Sequence, residues 1–398
     1  MNSMPESIFV FSHLRWDFVF QRPQHLLTRI SEKFNIFFIE EPINDVSEGD
    51  ECYLSSSKRS EKLSVLVPHL SSGFDKKQSL KIQTDIIQSH FKKELLSDYL
   101  FWYYTPMALE FAGNFSPLVT IYDCMDELSA FKFAPPELID LERQLLRRAN
   151  VVFTGGQSLY EAKKHQHSNI HSFPSSIDKA HFGKARQKLE QPADQADIAG
   201  PRFGFFGVID ERFDYQIIDD VAHLRPDWQF ILLGPIVKID HAILPRRANI
   251  HYLGSKSYNE LPAYLAGWDV AMIPFLLNEA TRLISPTKTP EYLSAGIPVI
   301  STAIRDIVNP YAREGLVSIV STADEFMAKA NVALAEPKDE WLKKVDAFLA
   351  NRSWDQTAAD MMKLIGQAVE GNRRTGKQSA PWLPEYGQAA LNISAGLR

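Results

Sequence analysis

Short apolar runs recur along this chain with helical patterns between them. IFVFS at 8–12 is bulky and β-branched, as a buried strand is, and the helical pattern QHLLTRISEKF follows it. FNIFFI at 34–39 reads as the next strand, with further strands at 65–67, 100–104 and 119–122. ELIDLERQLLRRA at 137–149 spaces its apolar residues as a helix does, and the strand VVFTG and a helix from Ser158 come next. Residues 184–200 break the rhythm: they are polar, carry no strand pattern and end in Gly-Pro, which marks an interdomain linker. The alternation then restarts, with strands expected at 203–206, 230–233, 250–253, 270–274, 299–301 and 317–319. Helices are expected at 215–224, 261–266 and 291–295. Such alternation specifies βαβ units, right-handed crossovers and parallel sheets. The reading is therefore α/β: two Rossmann-like, doubly wound domains at 1–190 and 200–370. The tail at 371–398 is either disordered or packed back across them. Ligands of open α/β sheets sit beyond the carboxyl ends of the strands, so two such edges facing each other enclose a cleft for two substrates.

Composition narrows the class. The 398 residues are 45% hydrophobic and 23% charged, an ordinary globular balance. A formal charge of -6 disfavours nucleic acid as the main partner, so any phosphate recognition rests on local groups. Cys52 and Cys124 are far apart and outside any CxxC, which suits a reducing cytoplasm and suggests neither a disulfide framework nor a zinc site. Glu6 stands where a signal peptide carries basic residues, and no run of roughly 18 apolar residues occurs. A cytoplasmic protein is expected, with peripheral contact at the inner face of a membrane left open.

Four passages carry candidate chemistry. ISPTKTPEYLSAGIPVI at 284–300 is a loop, a short helix, a glycine stop and a buried strand. Ser285 or Thr289 would cap that helix, Ser285 and Thr287 border its open N–H groups, and Lys288 adds a cation. Glu291 is placed to accept hydrogen bonds from ribose hydroxyls. In FGFFGVIDER at 203–212, Gly207 lets a ligand approach the backbone, while Asp210 and Arg212 stand at the mouth of the turn. Arg212 suits a diphosphate by charge-assisted hydrogen bonds. Asp123 and Asp126 in YDCMDEL follow a strand, where either would reach a reacting sugar or acceptor hydroxyl. No DxD spacing occurs, and no metal is expected. Finally, SHLRWDFVFQRPQH at 12–25 lies between the first strand and the first helix. His13 belongs to this loop, Trp16 and Phe18 offer a stacking platform, and Asp17 and Arg22 offer polar contacts. Glu279, in NEATR at 278–282, is a further candidate for the donor sugar.

Together SHLRWDFVFQRPQHLL, YDCMDELSAF, FTGGQSLYEAK, FPSSID, FFGVIDERFDY, LPRRANIHYLG and NEATRLISPTKTPEYLSAGIPVIST resemble the retaining GT-B glycosyltransferases, closest to the bacterial group one glycosyltransferases. The resemblance spans most of residues 8–310. It implies transfer of a hexose from a nucleotide-sugar donor, taken as UDP-linked, to a glycan or lipid-linked acceptor. It implies no cofactor, the nucleotide sugar being a substrate. Lys288 looks like the lysine of the family's diphosphate-binding basic pair, with Arg212 the candidate for its partner, and Glu291 matches the ribose-binding glutamate. Three places depart from the pattern. Leu283 stands where the family's motif has its first glutamate, Asp123 stands where many relatives have a histidine, and the first loop lacks paired glycines. Competing readings are a nucleotide-sugar epimerase and a non-catalytic nucleotide-sugar or glycan-binding subunit.

Overall fold

The computed structural model describes residues 4–93 and 98–376. Of the tail expected from 371, residues 377–398 lie outside the described residues.

Strands β1 (Ser7–Phe11), β2 (Asn35–Ile39), β3 (Ile43–Val46), β4 (Tyr53–Ser60), β5 (Leu63–Ser71), β6 (Tyr99–Tyr103), β7 (Val119–Cys124), β8 (Val151–Thr154) and β9 (Ile170–Ser172) form the first sheet. Its order is β3-β5-β2-β1-β6-β7-β8-β9, all parallel except β4, which pairs antiparallel with β5. Side chains alternate across a strand. In β1, Ile8 and Val10 therefore enter one apolar cluster, while Phe9 and Phe11 enter another on the opposite face.

Strands β10 (Arg202–Phe206), β11 (Gln229–Leu233), β12 (Ile250–Gly254), β13 (Val270–Ile273), β14 (Val299–Ser301) and β15 (Val317–Ile319) form the second sheet. Its order is β12-β11-β10-β13-β14-β15, wholly parallel. The two architectures are the doubly wound α/β domains expected. In β10 a Cβ on Gly204 would lie 1.9 Å from the Trp268 ring, so the strand gives up a side chain to seat an indole.

Five helices matter below. Helix α1 (Arg22–Ile30) opens with Pro23 in its first turn, and the Gln21 N–H donates to Gln24 Oε1 at 3.1 Å. Helix α2 (Gln157–Lys163) follows β8, and α3 (Tyr215–Leu224) is capped by the Asp214 carboxylate, which accepts the Ile217 N–H. Helix α4 (Lys288–Ser294) is short, with Thr289 to Ser294 all buried. Helix α5 (Trp354–Thr375) is capped by Ser353 and stops at Gly376 in a left-handed conformation, φ 63°. Its buried stripe is Trp354, Ala358, Met361, Ile365 and Val369, at helical spacing. That stripe packs beside Ile8, Val10, Leu26, Leu27, Val119 and Val151, so the last helix completes the core of the first sheet.

The segment 184–200 is ordered. Gln195 is fully buried and accepts the Trp268 indole N–H at 2.9 Å, while Arg202 donates to Ile198 O. No helix among the described residues is long and apolar enough to cross a membrane.

Candidate active site

The carboxyl edges of the two sheets face each other across a cavity of about 410 Å³. The first domain lines it with Trp16 to Arg22 between β1 and α1, Met125 and Asp126 after β7, and Gly155 after β8. The second contributes Gly207 after β10, Gly234 after β11, Lys256 to Tyr258 after β12, Phe275 after β13, and Ser285 to Lys288 with Glu291.

Lys288, in the first turn of α4, reaches under the β10 turn. A Cβ on Gly207 would lie 2.2 Å from Lys288 Cε and 2.6 Å from Nζ, and Gly207 itself has φ +136°. Glycine is thus required twice over, by the lysine and by the backbone. Gly234, φ +139°, completes the turn, since its Cβ would meet Gly207 O at 1.9 Å. Lys288 Nζ makes no hydrogen bond or ion pair among the described residues, and it lies 5.5 Å from the Phe205 ring centroid and 5.8 Å from that of Phe275. Burial lowers its pKa, and the Arg212 charge lowers it further. Glu291, one turn along α4 and buried, has its carboxyl pushed up by burial, with Lys288 opposing.

Arg212 is aimed by Asp210. Its Nε and Nη2 donate to the two carboxylate oxygens at 2.9 and 2.7 Å, and its guanidinium lies 5.3 Å from the Phe131 ring centroid in the first domain. Asp210 is consumed by this pairing and does not line the cavity, so its place is beside the arginine and not against a ligand. Asp126 faces both cations. Its carboxylate makes no hydrogen bond among the described residues; burial raises its pKa, and Arg212, Arg22 and Lys288 oppose that.

Several expected contacts fall elsewhere. Asp123 is fully buried and lies outside the lining, bound by Arg22 through Nε at 3.1 and 3.0 Å and through Nη2 at 2.9 Å. Arg22 also donates to Phe173 O at 2.7 Å. The pair is an internal brace, and only an edge of Arg22 reaches the cavity. Trp16 borders the cavity but is buried, packing edge-on against Phe38 with its backbone N–H donating to Glu40 Oε1 at 2.7 Å, so the exposed rings of that loop are Phe18 and Phe20. Asp17 stands at the cavity but is paired with Arg59. His13 is half-buried outside the lining, its pKa lowered to about 4 by burial and then by Lys238. Glu279 is exposed, paired with Arg282 at 3.0 Å and outside the lining. Neither Ser285 nor Thr289 caps α4: Thr287 holds the cap position, and Thr289 Oγ1 is buried without a partner. Leu283 is buried in an apolar cluster of the first domain, a cross-domain contact at the position where a glutamate was the family expectation.

The structure adds Tyr258, which the sequence did not single out. It stacks between Phe20 (4.2 Å, 24°) and His181 (4.0 Å, 10°), with its hydroxyl buried and unpartnered. Its position just past β12, at a strand's carboxyl end, was the available signal. Among the described residues no cluster of three or more His, Cys, Asp or Glu could hold a metal ion.

A lysine and an arginine at the carboxyl edge of one doubly wound domain, facing a second such domain across a cleft, point to a class. The chain has the GT-B fold and is a glycosyltransferase. Residues 200–336, within the second domain, match the family model of the group 1 glycosyl transferases. A curated relative is TuaH of Bacillus subtilis strain 168, assigned provisionally as a teichuronic acid biosynthesis glycosyltransferase. It is 23% identical over 285 residues, covering 67% of this chain and 71% of that protein. Among solved structures, sucrose-phosphate synthase from Thermosynechococcus elongatus superposes with a TM-score of 0.65 at 14% identity, covering 92% of this chain and 100% of that one. Anabaena HepE, in complex with UDP and glucose, superposes with a TM-score of 0.66 at 13% identity, covering 91% and 100%.

Proposed function

We propose that the chain moves a hexose from a UDP-linked donor to a glycan or lipid-linked acceptor, with retention of anomeric configuration and without a metal. The observation that carries this is Lys288, a partly buried and unpaired ammonium one helical turn from Glu291 and beside the guanidinium of Arg212. A diphosphate between Lys288 and Arg212 would put the ribose hydroxyls near Glu291. In the reaction the bond from the anomeric carbon to the diphosphate oxygen breaks, and charge grows on that oxygen. The two cations stabilise it, the kind of interaction that often supplies the largest catalytic term. The acceptor hydroxyl attacks from the face the diphosphate leaves, and its proton passes to the departing phosphate oxygen. Asp126, on the opposite wall, orients that hydroxyl. Desolvation of the cleft strengthens each of these interactions.

UDP as carrier is supported by the UDP found with HepE, and a glycan acceptor by the polymer named for TuaH. With a lipid-linked acceptor, the chain would make peripheral contact at the inner face of the membrane. The test is a thermal-shift panel of nucleotides and UDP-hexoses on the full chain, in which binding raises the melting temperature by mass action. A shift with UDP that disappears in Lys288→Ala supports the proposal, and an unchanged shift in that variant removes Lys288 from the donor site. Proton NMR of the product gives the anomeric configuration.

A further inference from the structure

We infer that Asp306 is a positioning residue for the reaction: it fastens helix α2 of the first domain to the second domain, and α2 holds the loop that carries Asp126. This rests on the reading of Asp126 given above.

Both ends of α2 are engaged. At the start, the Ser158 N–H donates to Asp306 Oδ1 at 3.0 Å and Oδ2 at 3.3 Å, and the Ser158 hydroxyl donates to the same carboxylate. Asp306 is buried, and its partners sit across the domain boundary. Only glycine permits this approach, because a Cβ on Gly156 would lie 2.4 Å from Asp306 Oδ2 and 2.7 Å from Ser285 Cβ. Ser285 precedes Lys288 by three residues and accepts, through its carbonyl, a hydrogen bond from Ser175 at 3.4 Å.

At the other end, Lys163 is buried, with Nζ 2.8 Å from Glu127 Oε2 and 2.7 Å from Glu142 Oε2. Glu127 is the residue after Asp126, and its other oxygen accepts from Ser129 Oγ at 2.6 Å. A helix of this length is roughly 10 Å of stiff backbone. It spans from a carboxylate of the second domain to the base of the Asp126 loop. Parting the domains would strip the Ser158 N–H of its acceptor and free that strut. The device thus ties the stance of Asp126 to the closure that brings Lys288 opposite it.

The experiment uses the full chain with Asp306→Ala, Asp306→Asn and Asp126→Asn. Amide hydrogen exchange of residues 125–130 should quicken about tenfold in Asp306→Ala, since local opening sets that rate. UDP affinity should stay within about twofold, while kcat on the best UDP-hexose of the panel falls roughly ten- to hundredfold, the range expected of a misplaced group. Asp306→Asn, which keeps an acceptor oxygen, should recover most of both. In the Asp126→Asn background, Asp306→Ala should cause no further loss of kcat. Unchanged exchange at 125–130, or losses that multiply in the double variant, would overturn the inference. A wild-type rate in Asp126→Asn would instead overturn the reading of Asp126, with the exchange measurement still deciding whether the strut exists. If Asp306→Ala does not fold, Ser158→Ala supplies the same readouts at smaller amplitude.

Discussion

Gly207 and Lys288 share one space, and that makes the glycine a probe of the lysine. Gly207→Ala drives a methyl into Lys288 Cε and into a backbone with φ +136°. It should cost about 1–3 kcal/mol of stability and weaken UDP binding, as calorimetry would register. Lys288→Met should lower turnover about a hundredfold, the typical cost of removing one charge-stabilising group. Because burial and Arg212 hold the Lys288 pKa below the lysine range, its charge is lost earlier on raising the pH. UDP affinity of the wild type should therefore fall as pH rises between about 7 and 10, and Lys288→Met should lack that slope. Lys288, Glu291 and Arg212 were legible in sequence because each lies within a few residues of a strand end or helix start. The pairing of Arg22 with Asp123 joins positions 101 residues apart, and no local pattern encodes it. The same holds for the Arg212–Asp210 pairing geometry: spacing placed both at the turn but did not say that one would occupy the other.

At the scale of elements, β14 and β15 appear at the expected residues because each is a short apolar run between turn residues. Strand β4 escaped the reading because YLSSSKRS is exposed and serine-rich, and it is a strand only through its antiparallel ladder to β5. Helix α4 has little intrinsic stability at its length and is held by burial on all sides. One of its ties to the second sheet is the Tyr292 hydroxyl, which accepts the Phe206 N–H at 3.0 Å. Tyr292→Phe leaves that buried donor without an acceptor, at a cost of about 1–3 kcal/mol. Urea unfolding should show the loss, and UDP binding should weaken with it, because Phe206 adjoins Gly207. Helix α5 was missed, although its apolar stripe is regular, and periodicity in any case does not name the core that receives a helix.

The whole molecule carries a buried histidine at its centre. His25 lies flat on Trp354 (4.7 Å, 8°) and edge-on to Tyr258 (5.4 Å, 78°), so it touches α1, α5 and the second domain. Burial, then Arg29 and His181, lower its pKa to about 3. An unfolded histidine titrates near 6.5, so the unfolded chain binds the extra proton between about pH 6.5 and 3. Stability is fully present above that window and falls as pH drops through it, by roughly 2–4 kcal/mol. His25→Phe keeps the stacking, and its melting temperature should depend less on pH between about 7.5 and 4.5 than the wild type's.

The return of α5 has a temporal consequence. Leu26, Leu27, Ile8 and Val10 wait for Trp354, Met361 and Ile365 to cover them. A nascent chain therefore emerges with its first lobe unfinished, and that lobe stays open until the ribosome has made the whole of the second. A product halted before Ser353 should be cut quickly by trypsin in its first 180 or so residues while the second lobe resists. For this protein, synthesis runs from one end to the other, but assembly of the first lobe waits for both.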